Sequence, residues 1–144
     1  MDYLVDTDVL SAGSPLRDSS ALADWLDDNS GRLYVSTVTV AEIEDGIAKA
    51  RREGATRKAA LLGQWLETVL HLYASRFLTF DLAAARIAGP LSDVARAKGA
   101  EPGFADLAIA AIAIANGLTI LTRNSKHFAP LDVSFHDPFN SLPR

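Results

Sequence analysis

Short apolar runs of β character alternate along this chain with longer stretches of helical periodicity, and that alternation limits the fold more than any other feature. "YLVD" (Tyr3–Asp6), "LYVS" (Leu33–Ser36), "FLTF" (Phe77–Phe80) and "LTILT" (Leu118–Thr122) read as strands, with "DVSFH" as a fifth candidate. Between them, "SSALADWLDDN" opens on a serine suited to capping and carries Leu22, Trp25 and Leu26 on one side. "TVAEIEDGIAKARRE" places Val40, Ile43 and Ile47 at helical spacing, and "RKAALLGQWLETVLHLYA" is amphipathic through Leu62, Leu66 and Val69 or Leu70. Strands separated by helices point to an α/β domain: a central, mostly parallel sheet of four to five strands flanked by helices on both faces. "ARREGATRK" reads as a charged break between two helices. With no repeat or linker, one domain spanning 1–144 is expected.

"GAEPGFADLAIAAIAIANG" holds nine consecutive apolar residues from Leu107 to Ala115, bounded by Pro102-Gly103 and Asn116-Gly117. That run is too short to span a bilayer. An all-round apolar helix is one buried inside a protein, and Asp106 is its only charge. The chain has no cysteine, which removes disulfides, thiolate metal sites and a cysteine nucleophile. The N-terminus shows no basic-then-apolar signal pattern, so a cytoplasmic protein with no membrane partner is expected. A net charge of −4 does not advertise nucleic-acid binding by itself.

The question the composition leaves is why Asp6 and Asp8 end an apolar strand. In an open α/β sheet, ligands bind outside the carboxyl ends of the strands. Asp6 ends the first strand there, Glu42 follows the second strand by a turn or two of helix, and Asp106 opens the helix before the fourth. Three carboxylates from distant points in the chain therefore converge on one edge. Two carboxylates about 5 Å apart repel by roughly 3 kcal/mol at an effective dielectric of ~20. A divalent cation relieves that repulsion, and an all-oxygen set suits Mg²⁺ or Mn²⁺. Such an ion polarises a phosphoryl oxygen and acidifies a water, the chemistry of phosphodiester hydrolysis. Each acid also has an ordinary reading. Asp6 and Asp8 suit a helix cap, Glu42 a solvent-facing helix position beside Glu44 and Asp45, and Asp106 the helix dipole.

"LVDTDVLS", "TVAEIEDG", "FADLAIAAIA" and "ILTRNSKHF" occur in that order over nearly the whole chain. Together they resemble the PIN-domain ribonucleases, and among them the VapC-type toxins of bacterial toxin–antitoxin pairs, in the branch with "TRN" near its end. The resemblance implies a PIN-like fold and Mg²⁺- or Mn²⁺-dependent endonucleolytic cleavage of RNA. Carried over by position, the family's acids fall on Asp6, Glu42 and Asp106, and its fourth polar or acidic position on Asn124. His127 stands where many relatives carry an acid. Thr7, Asp8 and Thr122 match positions that support the first acid. The resemblance further implies a cognate antitoxin that blocks the acidic pocket, and a homodimer. The helix bearing Trp65 has Leu61, Leu62, Leu66 and Leu72 on more than one face, which fits core packing or a partner groove. Arg51, Arg52, Arg57 and Lys58 suit a solvated turn. Arg123 and Lys126, beside the fourth site, are candidates for RNA phosphates.

Two other classes fit parts of the pattern. A haloacid-dehalogenase-type phosphatase would use Asp6 of "LVDTDVL" as a covalent nucleophile, but no paired acidic motif follows the later strands. A receiver module would want an aspartate at the end of its third strand, which Asp81 of "FLTFD" supplies. It would also want a lysine near the end of its fifth, but no lysine follows the later strands in the right place. A degenerate PIN domain that only binds RNA or protein is suggested by Asn124 and His127.

Overall fold

The computed structural model describes residues 1–17 and 20–144. Ser19, the first serine of "SSALADWLDDN", lies outside the described residues. In chain order the elements are β1 (Tyr3–Val5), α1 (Thr7–Leu10), α2 (Ala21–Asp28), β2 (Leu33–Ser36), α3 (Thr37–Arg52), α4 (Thr56–Leu72) and β3 (Phe77–Leu78). They continue with α5 (Leu82–Ala97), α6 (Phe104–Ala115), β4 (Thr119–Leu121), α7 (Ser125–Phe128) and β5 (Phe135–His136).

The five strands form one sheet in the order β3-β2-β1-β4-β5. Every pairing is parallel, with Tyr3 opposite both Leu33 and Thr119, Val35 opposite Phe77, and Ile120 opposite Phe135. The strands are shorter than the sequence pattern predicts: Asp6, Thr79, Phe80, Leu118 and Thr122 lie outside them. Asp6 leaves the sheet because it is already the N-cap of α1, its side chain accepting from the Thr7 N–H.

Alternate strand residues feed two separate cores, as a pleated strand buried on both faces requires. Tyr3, Val5, Leu33, Val35 and Leu121 join Ile43, Ile47, Leu66 and Val69 on the face covered by α2, α3 and α4. Leu4 and Ile120 join Ala88, Leu91, Ile109 and Ile112 on the face covered by α5 and α6.

The helix breaks follow their sequence signals. "ARREGATRK" does separate two helices. Gly54 takes φ +81°, where a Cβ is strained, and the Ala55 N–H reaches back to the Ala50 carbonyl at 2.8 Å. Gly117, at φ +65°, ends α6 in the same way, with Leu118 N–H on Ala113 O at 2.9 Å and Gly117 N–H on Ile114 O.

Two features depart from the sequence reading. Helix α5 has no counterpart in it, because Gly89-Pro90 in its middle looks like a terminus. The helix runs through Pro90, and its buried side Ala84, Ala88, Leu91 and Ala95 packs on α6. Helix α6 is buried all round over Ala108–Ala113, as its apolar run predicts, but its two ends are not. Phe104 is 68% exposed and Ile114 37%. Phe104 instead meets the Phe80 ring edge-on, centroids 5.6 Å apart.

Candidate active site

Sheet order reverses between β1 and β4: from β1 the chain adds strands on one side, then on the other. Such a switch point leaves a crevice at the carboxyl ends of the two strands. Asp6 stands in it. Its backbone N–H bonds Leu121 O at 2.9 Å, and Thr122, the residue after β4, donates its hydroxyl to Asp6 Oδ2 at 2.8 Å. Asp6 Oδ1 accepts from the Thr7 N–H at 2.9 Å. The side chain is therefore fixed from both neighbouring strand ends, and the residue is 5% exposed.

Burial pushes the Asp6 carboxyl up to about 6 from 3.8, helped by the charges of Asp8 and Asp106 and opposed by the bonds from Thr122 and Thr7. Two local hydrogen bonds do not offset the lost water and the neighbouring acids. Burial also raises Asp8, whose Oδ2 accepts from the Arg123 N–H at 3.1 Å and whose Oδ1 is buried with no partner. Asp137, on the loop after β5, adds to that rise.

Glu42 is placed by a chain of hydroxyls. Ser36 caps α3 by accepting from the Thr39 N–H, and its hydroxyl lies 3.4 Å from that of the buried Thr39. The Thr7 hydroxyl lies 3.1 Å from Thr39 Oγ1 and 2.8 Å from Glu42 Oε1. Glu42 is exposed, as the solvent-facing reading expects, yet its carboxylate is tied to the residue next to Asp6. Asp106, in the first turn of α6, brings Oδ2 within 3.0 Å of His127 Nδ1.

Asn124 N-caps α7 through its backbone, and its N–H bonds the Thr122 hydroxyl at 2.9 Å, so Thr122 links it to Asp6. The guanidinium of Arg123 lies over the Phe139 ring, 4.7 Å from its centroid. Lys126 lines a cavity with Asp106 and His127. Thr39, Asp137 and the contact between His127 and Asp106 are absent from the sequence reading. Only Thr39 has a local signal there, the Ser36-x-x-Thr39 cap.

The sequence profile of the PIN domain matches residues 3–132. The chain belongs to the PIN-domain family. Toxin FitB of Neisseria gonorrhoeae is 33% identical over 95% of this chain and 98% of its own length. VapC ribonuclease Y4jK of Sinorhizobium fredii is 33% identical over 94% and 96%. Among solved structures, FitAcB from Neisseria gonorrhoeae superposes with a TM-score of 0.82 at 35% identity, covering 95% of this chain and 98% of that one. A Mycobacterium tuberculosis member of the VapBC family of toxin-antitoxin systems gives 0.70 at 27% identity, over 94% and 95%.

Whether this PIN domain suits a divalent cation can be judged from its own groups. The donors are carboxylates and hydroxyls, the right type for a hard ion. The charges of Asp8 and Asp106 raise the cost of ionising Asp6, and Asp137 raises that of Asp8 while the Arg123 charge offsets part of it. Among the described residues, no three acidic or imidazole groups already stand together as a ligand set. Glu42 is bonded to Thr7 and Asp106 lies against His127, and both side chains retain solvent access. The donor chemistry and the charge fit such an ion.

Proposed function

We propose that this PIN domain is a metal-dependent endoribonuclease of the cytoplasm that cleaves RNA phosphodiester bonds. The observation that carries the reading is Asp6: a buried carboxylate locked by Thr122 and Thr7 at the sheet's switch point, with the negative charges of Asp8 and Asp106 near enough to raise its pKa. Asp6, Glu42 and Asp106 would hold Mg²⁺ or Mn²⁺, with Asn124 beside them. When bound, such an ion supplies positive charge to a phosphoryl oxygen and lowers the pKa of water.

The chain's own residues then do the positioning. Thr122 and the Thr7 N–H fix Asp6, the Thr7 hydroxyl holds Glu42, and His127 holds Asp106. Arg123 and Lys126 offer cations to the flanking phosphates. A single nuclease domain over 1–144, acting as a homodimer and the toxin of a toxin–antitoxin pair, completes the reading. The toxin part of that reading is supported by the likeness to Toxin FitB, the VapC ribonuclease and the VapBC structure. A groove walled by Leu10, Leu26, Trp65, Val69 and Leu72, the last 42% exposed, offers apolar surface to a cognate antitoxin.

The engagement of Glu42 and Asp106 with Thr7 and His127 favours one other reading, a degenerate PIN domain that binds RNA or protein without cutting. Incubating the purified chain with a mixed RNA pool, in Mn²⁺ and in EDTA, separates the two. Cleavage should require the ion, and Asp6→Asn and Asp106→Asn should each reduce it to background with circular dichroism unchanged. Intact RNA in every arm defeats the nuclease.

A further inference from the structure

Beside the acids lies a cavity of about 200 Å³ between the loop that precedes α6 and the segment of α7 and Pro130. Asp106 is a wall of both the cavity and the acid site. We propose that this cavity is a subsite for one nucleobase of the RNA, that of a nucleotide flanking the bond cut. The inference rests on the nuclease reading and adds to it where the substrate is gripped.

Three observations carry it. The first is adjacency: Asp106 lines the cavity and also acts on Asp6, so a phosphate held at these acids would have its neighbouring nucleoside within reach of the cavity. The second is the mixture of walls. Pro102 and Pro130 supply apolar surface, Glu101 an acceptor, and Lys126 and His127 donors. A base has apolar faces and an edge that carries both acceptors and N–H donors. A phosphate alone would be repelled by Glu101 and Asp106, and a purely apolar ligand would leave the charged walls unpaired.

The third is the state of His127. Its Nδ1 lies 3.0 Å from Asp106 Oδ2, and its side chain is 57% exposed at the cavity wall. The ring thus has Asp106 against one nitrogen and exposed surface left for a ligand. Unstacked bases of single-stranded RNA are recognised in this way, by edge hydrogen bonds and by packing on a ring such as histidine's.

The test is an abasic scan. A short single-stranded RNA that the wild-type protein cuts at one bond is resynthesised with an abasic nucleotide at each flanking position in turn. One position should lose about tenfold in kcat/KM for the wild type, the scale of a single stacked base. Two variants are compared: Glu101→Ala, which removes the acceptor, and Ala100→Leu, which fills the cavity from its own wall. In each, the parent RNA should be cut about tenfold less well, and the abasic RNA no worse than the parent. A flat scan in the wild type overturns the subsite, as does an abasic loss that persists in full in both folded variants. If the wild type cuts no RNA with any divalent ion, the nuclease reading fails and the subsite falls with it.

Discussion

Asp6 and Asp106 are near enough for the charge of one to act on the other but sit in opposite settings. Asp6 is 5% exposed, both its oxygens are bonded, and its carboxyl titrates near 6. The Asp106 side chain is 25% exposed and has one partner, His127, itself 57% exposed. The sheet end is a rigid, desolvated anchor, whereas the corner of α6 and α7 is a hydrated rim. The difference teaches where each kind of work is placed. A buried acid costs stability without a counter-ion and so prepares a strong cation position. A rim acid costs little and can turn between partners. The same contrast runs through the neighbouring polar side chains, since Thr39 and Thr122 are buried beneath the anchor while Asn124, Lys126 and His127 stand toward solvent on the rim.

The largest stability effect should come from ionising the anchor. Asp6 titrates near 6 folded against 3.8 ordinarily, so the folded metal-free protein binds that proton more tightly than the unfolded chain. The contribution is complete below 3.8 and is lost as pH rises through about 6, amounting to about 3 kcal/mol. Urea unfolding in EDTA should show the wild type losing stability over that window relative to Asp6→Asn. A constant difference between the two proteins would mean that Asp6 is not desolvated, and the contrast with Asp106 would vanish.

Next in size is Thr122→Val, which keeps the shape but strips Asp6 Oδ2 of its donor and the Asn124 N–H of its acceptor. Unfolding at neutral pH should report a loss of about 1–3 kcal/mol. His127→Ala, the matching change on the rim, should cost no more than about 0.5 kcal/mol, as a surface substitution does. Equal losses would erase the distinction between anchor and rim.

The smallest effect concerns the rim's cations. Replacing Arg123 and Lys126 by Ala should lower the salt dependence of RNA binding by about 0.7 for each phosphate that is no longer neutralised. Fluorescence anisotropy over a salt series reads it, and an unchanged slope would return both residues to ordinary surface. Arg123 is the sterner case, because its guanidinium already rests on Phe139.

The placement of both acids was legible in the sequence, because the rules behind it are local. A strand that stops on an acid, and a helix that opens on one before the next strand, bring Asp6 and Asp106 to one edge of a parallel sheet. The helix breaks at Gly54 and Gly117 were legible for the same reason. Helix α5 was not: its buried side is mostly alanine, a small-residue stripe whose value appears only against α6, and Gly89-Pro90 imitates an end. The contacts of the rim were not legible either, because they are remote. Asp8 and Arg123 are 115 residues apart, and Asp106 meets His127 across the α6–β4 unit. Glu42 shows both limits at once, exposed as its neighbours suggest and yet tied to Thr7 across 35 residues.

That Asp6, Glu42 and Asp106 act as one cation site is tested most directly by metal-linked stability, with no RNA present. Thermal and urea unfolding of the wild type, Asp6→Asn, Glu42→Gln and Asp106→Asn would be followed with and without Mn²⁺. The wild type should gain about 2.7 kcal/mol at one hundred times its dissociation constant. Each variant, folded by circular dichroism, should gain far less at the same Mn²⁺ concentration, because each removes one ligand of the same ion. No gain in the wild type, or an undiminished gain in Glu42→Gln and Asp106→Asn, would contradict the shared site.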